Sequence, residues 1–214
     1  MSKVFRVDPE EPSAEVVNLA ASVLREGGVV IFPTETVYGI GAAAHSWCGP
    51  CELFDIKVRP LDKPLPWLVE GVDAIDEYGQ DVAPYARALA ERFWPGGLTL
   101  VVRANDAVGA QHKDERGTIA LRAPDHAVVQ GLLRACGSPI AATSANTSGQ
   151  PPAARFEDLE PRIIASADVV IDGGESAVGV ASTVVDCTGA DPVVLREGPI
   201  PAEAIAEAVQ ALAG

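Results

Sequence analysis

The sequence predicts an α/β fold, a single domain over residues 1–214 built on a mixed, twisted sheet flanked by helices. Two observations carry this. Short apolar runs rich in β-branched residues alternate with helix-period segments, and no long linker, repeat or low-complexity tract divides them. Hydrophobic residues make up 48% of the 214 positions and aromatic residues 5%. The core is therefore one of Val, Ala, Leu and Ile, ample for one cooperative fold.

Each element has its own reason. Val4 to Val7 reads as an edge strand. Ser13 can cap a helix running to about Glu26, with Val16, Leu19, Ala20, Val23 and Leu24 at helical spacing and Gly27 as its stop. Val29 to Phe32, between Gly28 and Pro33, is a buried strand that delivers Thr34, Glu35, Thr36 and Tyr38 onto a loop at its C-terminal end. Ligands bind there in open α/β sheets. Leu65 to Val69 is a strand that Pro66 places at an edge or at a strand start. Pro84 opens a helix to Arg92, Trp94-Pro-Gly-Gly is a turn, and Leu98 to Val102 is a strand. The strand Thr118 to Arg122 follows Gly117, then a helix from about Asp125 to Ala135 and the strand Pro139 to Ala142. The pattern closes with a helix Phe156 to Ala165, strands Val169 to Ile171, Thr183 to Asp186 and Val193 to Leu195, and an Ala-rich helix from Pro201.

The formal net charge is −14 and the pI about 4.5. Phosphate attraction supplies most non-specific nucleic-acid affinity, so direct nucleic-acid binding is expected to be weak or absent. Any anionic ligand must instead be held by a local island of cations. No apolar run approaches a membrane span and no apolar signal region opens the chain, which reads as cytoplasmic.

Several motifs compete for attention. Trp47-Cys48-Gly49-Pro50-Cys51 resembles a thioredoxin redox site, but its surroundings lack the strand-to-helix turn that such a site needs. The pair is expected to be dispensable. Gly39-x-Gly41-x-x-Ala44 matches the dinucleotide fingerprint loosely, yet its glycines read as part of a loop rather than the opening of a long helix. No Walker-type phosphate loop is present. The three histidines are scattered, which argues against a zinc site.

The cations Lys57, Arg59 and Lys63 fall within seven positions of a chain that has only four lysines. A solvated helix face is the ordinary reading of such a run. Pro60 and Pro64 make it a loop instead, and phosphate binding is the better account. Ser144 and Asn146 could be a local turn, Ser182 a cap and Arg196 half of an ion pair. Polar groups recur at strand ends, however: Thr36, Thr118, Arg122, Ser144, Asn146, Ser182 and Arg196.

In order along the chain, Pro33-Thr-Glu-Thr-Val-Tyr-Gly-Ile-Gly, Lys57-x-Arg59, Phe93-Trp-Pro-Gly-Gly-Leu-Thr-Leu-Val, Thr118-Ile-Ala-Leu-Arg122, Pro139-Ile-Ala-Ala-Thr-Ser144-x-Asn146, Ser182-Thr-Val-Val-Asp and Leu195-Arg196-Glu-Gly resemble the YrdC-type threonylcarbamoyl-AMP synthases. The resemblance implies a YrdC-like sheet curved around a central cleft. It implies a nucleotidyltransferase that makes threonylcarbamoyl-adenylate and pyrophosphate from L-threonine, bicarbonate and ATP. The product would pass to a tRNA threonylcarbamoyl-transferase complex. By the same resemblance, Thr36, Arg122 and Ser182 bind threonine, with Arg122 clamping both oxygens of its carboxylate. Arg59, Lys63, Thr118, Ser144, Asn146 and Arg196 bind ATP, and Lys57 and Arg59 are catalytic. Magnesium is expected with ATP, with no tightly bound cofactor and no metal site in the protein. The chain departs from the pattern at Leu68, where relatives carry His, and at Ala181, where they often carry Glu. A double-stranded RNA-binding module of the same fold, a redox protein using Cys48 and Cys51, and a carbamoyl-adenylate enzyme with another substrate are the other readings.

Overall fold

The computed structural model of the chain describes residues 2–46, 49–58 and 65–212. Ten strands form one mixed sheet: β1 (Lys3–Arg6), β2 (Val30–Phe32), β3 (Gly39–Ala43), β4 (Trp67–Leu68), β5 (Leu98–Arg103), β6 (Thr118–Arg122), β7 (Ile140–Ser144), β8 (Val169–Asp172), β9 (Thr183–Asp186) and β10 (Val193–Arg196). Their order across the sheet is β1-β8-β2-β3-β7-β4-β6-β5-β9-β10. The α/β class with a mixed sheet is as the sequence predicts.

The strands separate two cores. In β6, Ile119 and Leu121 face one way and Ala120 and Arg122 the other, as strand periodicity requires. The larger core takes Ile119 and Leu121 together with Leu98 and Leu100 of β5, Val170 and Val185, and apolar side chains of α2 (Gly49–Lys57), α3 (Ala74–Tyr78), α4 (Pro84–Phe93), α6 (Pro161–Ser166) and α7 (Ala202–Gln210). The smaller core is made by α1 (Ala14–Arg25) and α5 (Ala127–Cys136) packed on Val30, Phe32, Leu68, Ile140 and Ala142. Both of its helices lie over the β8 to β4 part of the sheet. None of its residues comes from β5, β6, β9 or β10, so that half of the face is left for the site.

Some expected elements change. Gly39 and Gly41 belong to β3, a fully buried strand between β2 and β7, and not to a loop. The glycines are there because neighbours come close: a Cβ at Gly39 would fall 2.8 Å from the Phe32 ring, and one at Gly41 would fall 2.7 Å from Ile140 Cγ2. The strand after Pro66 is short and central, between β7 and β6. Of the two positions open to Pro66, the strand start is the one found; it precedes β4, and its carbonyl accepts from Ala142 N at 2.9 Å. The helix expected over Phe156 to Ala165 is a 3-10 turn at Phe156–Asp158 followed by α6, because Pro161 can open a helix but cannot sit inside one. Ser13 precedes α1 but makes no side-chain capping bond.

One polar tie fastens the β5–β6 connection to β9. Arg116 pairs with Asp114 at 3.2 Å and with Asp186 at 2.8 Å. Burial works to raise the Asp186 carboxyl, but hydrogen bonds from Thr188 and Arg116 outweigh it and hold it below the ordinary carboxylate value.

Two stability outcomes are expected. Gly41→Ala should lower the unfolding free energy by about 1–3 kcal/mol, through overpacking against Ile140, and a shift in the denaturant midpoint would show it. Asp186 is ionised more readily in the folded state, so its contribution is present above the ordinary carboxylate range and is lost as pH falls below it. The stability gap between the wild-type chain and Asp186→Asn should therefore be widest near neutrality and close towards pH ~2; a gap that widens in acid would refute this.

Candidate functional site

Eight neighbouring strands contribute to one cavity of about 290 Å3. Phe32, Gly39, Ser144 and Leu68 come from β2, β3, β7 and β4, and Arg122, Thr99, Val184 and Arg196 from β6, β5, β9 and β10. Eight strands laid flat would span about 34 Å, far more than such a cavity can touch. The sheet therefore curls around the space, as the resemblance implied.

The loop after β2 is folded by its own hydroxyls. Thr34 Oγ1 donates to the Val37 carbonyl at 2.8 Å and accepts from the amides of Thr36 and Val37. This turn presents Thr36 and Glu35 to Arg122 at the end of β6. Arg122 is 7% exposed. Its Nη2 donates to Glu35 Oε1 at 2.7 Å and to Thr36 Oγ1 at 2.8 Å, and its Nε donates to the Gly96 carbonyl at 3.2 Å. Nη1 has no hydrogen-bond partner among the described residues. The Nε and Nη2 edge of the planar fork serves protein acceptors.

Arg196 reaches the cavity through a change of register. Val194 pairs with Val185, and the next paired residue of β10 is Arg196, against Val184, leaving Leu195 as the extra residue of a bulge. Successive residues of a strand point to opposite faces, so this insertion is what brings Arg196 alongside cavity-lining Val184. Its guanidinium donates to the Ser182 carbonyl at 2.8 and 3.0 Å and to Ser182 Oγ at 3.2 Å. Ser182 Oγ is in turn 2.8 Å from Thr99 Oγ1. Gly198 makes this close approach possible, since a Cβ there would fall 2.3 Å from the Ala181 carbonyl. Burial, and then the neighbouring Arg122, push the Arg196 guanidinium below its ordinary value. The cavity is thus lined by two mutually repelling cations with hydroxyls around them, a setting for an anion.

Lys57 makes a buried tie to the loop after β7. It is 2% exposed, and its Nζ donates to the Ser144 carbonyl, to the Asn146 carbonyl at 2.6 Å and to Asn146 Oδ1 at 3.3 Å. Asn146 Nδ2 donates onward to the carbonyls of Thr147 and Gln150. The end of α2 is thereby tied to the loop after β7, and Lys57 acts as a positioning residue for Ser144.

The sequence-predicted residues divide accordingly. Arg122, Ser144, Ser182 and Arg196 line the cavity, and Thr36 stands behind Arg122. Asn146 anchors the loop without lining the cavity. Thr118 is four residues back along β6, about 13 Å from Arg122 at strand rise, and its amide is bound by Asp114. It lies at a separate depression with Arg103, Lys113 and Arg116. Arg59, Lys63 and Cys48 lie outside the described residues; Cys51 is exposed. The sequence reading missed Thr99 and the part played by Glu35. The signal for Glu35 was its place between Thr34 and Thr36.

Removing the Lys57 ammonium while keeping a stem of similar length tests its role. Lys57→Met should cost about 1–3 kcal/mol by leaving buried carbonyls without a donor, read as a lower melting temperature; an unchanged melting temperature would refute the tie.

Comparison with known proteins agrees with this geometry. A model of the Sua5/YciO/YrdC family, described as telomere recombination, matches residues 22–198. The threonylcarbamoyl-AMP synthase of Pyrococcus abyssi is 38% identical over 193 residues, covering 90% of this chain and 57% of that protein. That of Bacillus subtilis is 41% identical over 191 residues, covering 87% of this chain and 54% of that protein. The chain thus spans a little more than half the length of these relatives. The crystal structure of P. abyssi Sua5 complexed with L-threonine superposes with a TM-score of 0.90 at 36% identity, over 97% of this chain and 61% of that one. The match over most of the sequence, and over nearly all of the fold, makes this chain a member of the Sua5/YciO/YrdC family.

Proposed function

We propose that the chain is a threonylcarbamoyl-AMP synthase, converting L-threonine, bicarbonate and ATP into threonylcarbamoyl-adenylate and pyrophosphate. The observation that carries this is the cavity with Arg122 and Arg196 on its wall, in a fold shared with a relative that binds L-threonine. In this reading the threonine amine adds to carbon dioxide derived from bicarbonate, forming an N–C bond and releasing a proton. A carbamate oxygen then attacks the α-phosphorus, and pyrophosphate leaves with the electron pair of the broken P–O bond.

No covalent protein nucleophile is needed. The demands are positioning, exclusion of water from a labile carbamate, and positive charge where anionic oxygens gather. Arg122, its neighbour Thr36, and Ser182 hold the amino acid. Arg196 and Ser144 serve the nucleotide side, with Arg59 and Lys63 assigned there by sequence alone. Magnesium enters with ATP as part of the substrate, held mainly by phosphate and water oxygens. The donors around the cavity are guanidinium and hydroxyl groups, suited to anions. Among the described residues, no helix is long and apolar enough to cross a membrane; a cytoplasmic location and delivery of the product to a tRNA-modifying transferase complete the proposal.

The test is formation of an AMP-linked product from ATP and bicarbonate with threonine, with serine, and without an amino acid. Product independent of amino acid would overturn the proposal. Arg122→Lys should raise the KM for threonine by more than about tenfold and leave that for ATP within about threefold, because a lysine cannot serve Gly96, Glu35, Thr36 and a ligand together. Equal shifts for both substrates, or a lowered melting temperature alone, would make Arg122 structural.

A further inference from the structure

We infer that Glu35 is the residue that makes this cavity select an amino-acid zwitterion over the corresponding acid that lacks an ammonium. The inference rests on the threonine reading above and deepens it. Glu35 is bound on one side only. Its Oε1 accepts from Arg122 Nη2 at 2.7 Å, whereas Oε2 is buried and has no hydrogen-bond partner among the described residues. The side chain is 14% exposed. A carboxylate oxygen buried without a donor is costly, and such groups call for an explanation in what the site does.

Two guanidiniums alone would accept any anion. Arg122 and Arg196 are close enough for the charge of one to disfavour that of the other, and with nothing opposing them a hydroxy acid, a phosphate or an amino acid would all be drawn in. Glu35 changes the site in charge and in shape. It offsets one of the two positive charges, so the attraction for a bare monoanion falls. Together with Thr36 and Gly96 it also fixes the guanidinium, leaving Nη1 as the nitrogen of Arg122 without a partner among the described residues. A ligand carboxylate held by Nη1 carries its α-ammonium two bonds away. Glu35 stands beside Arg122 and outside the cavity lining, so it reaches that ammonium through its field alone, and the field is weakly screened because the group is largely buried. A hydroxyl in the same place gains nothing comparable. Glu35 acts through Arg122 and through its field, as a positioning and specificity residue.

Calorimetric titration with L-threonine, and with its analogue bearing a hydroxyl in place of the ammonium, tests this. The wild-type chain should bind threonine more tightly than the analogue. Glu35→Gln keeps an oxygen for Arg122 but removes the charge; it should cut the preference by about tenfold or more, with the analogue bound more tightly than by the wild type. Glu35→Asp keeps the charge one methylene further back and should fall between the two. If Glu35→Gln weakens both ligands equally and leaves the ratio unchanged, the residue is merely structural and the inference fails while the threonine reading stands. A wild-type chain that binds no threonine overturns both. Should the Gln variant not fold, the wild-type ratio decides: equal affinities overturn the inference, and a preference for threonine supports it.

Discussion

The buried guanidinium of Arg122 is the constraint on which the site's other parts depend. It stands at the end of β6, takes the Gly96 carbonyl from the turn before β5, and takes Glu35 and Thr36 from the loop after β2. These three segments are brought together from positions as much as 87 residues apart. A cation so little exposed persists only when paired and hydrogen-bonded. The arrangement therefore dictates a carboxylate in that loop, hydroxyls able to fold it, and a turn tight enough to offer a carbonyl. Arg196, across the cavity, is fastened by a neutral carbonyl and hydroxyl of Ser182 instead. The positive character of the site resides in that difference.

Much of this was legible in the sequence, for identifiable reasons. β6 was read with its observed bounds because Gly117 and the following β-branched and apolar residues leave little choice. Strand-end polar residues flagged Arg122, Ser144, Ser182 and Arg196, since a side chain at the end of a buried strand has few places to go but a ligand site. The failures are equally physical. β3 contains two glycines and three small or aliphatic residues, so local preference speaks for a loop; what makes it a strand is the close approach of Phe32 and Ile140, which belong to other strands. Thr118 groups with Arg122 in the sequence because both end the same strand on the same face, but they stand at its opposite ends, about 13 Å apart at strand rise. The contacts of Lys57 are not legible either, because sequence shows charge and not burial; its ammonium donates to the carbonyls of Ser144 and Asn146.

The two cores explain how one sheet can be both well buried and open. The helices α1 and α5 cover part of one face and stop short of β6, β5, β9 and β10, while the opposite face is covered by five helices. The uncovered strands keep small or polar residues inward, such as Thr99, Ala120 and Ser182. Curling replaces a helix as the means of sheltering them. A dry interior and an accessible one thus share the same strands, and a ligand in the cavity would rest on residues whose opposite neighbours form the main core.

The bulge at Leu195 shows that the cavity's charge is held in the count of residues as much as in their kinds. Val194 and Arg196 are successive partners of β9 with one residue skipped between them. Were β10 to pair regularly through Leu195, that aliphatic chain would stand against Val184 where the guanidinium now does and Arg196 would turn to the other face, although no helix and no other strand need move. The anion-binding character of the sheet's edge therefore depends on which residues of β10 pair with β9, and composition alone does not determine it.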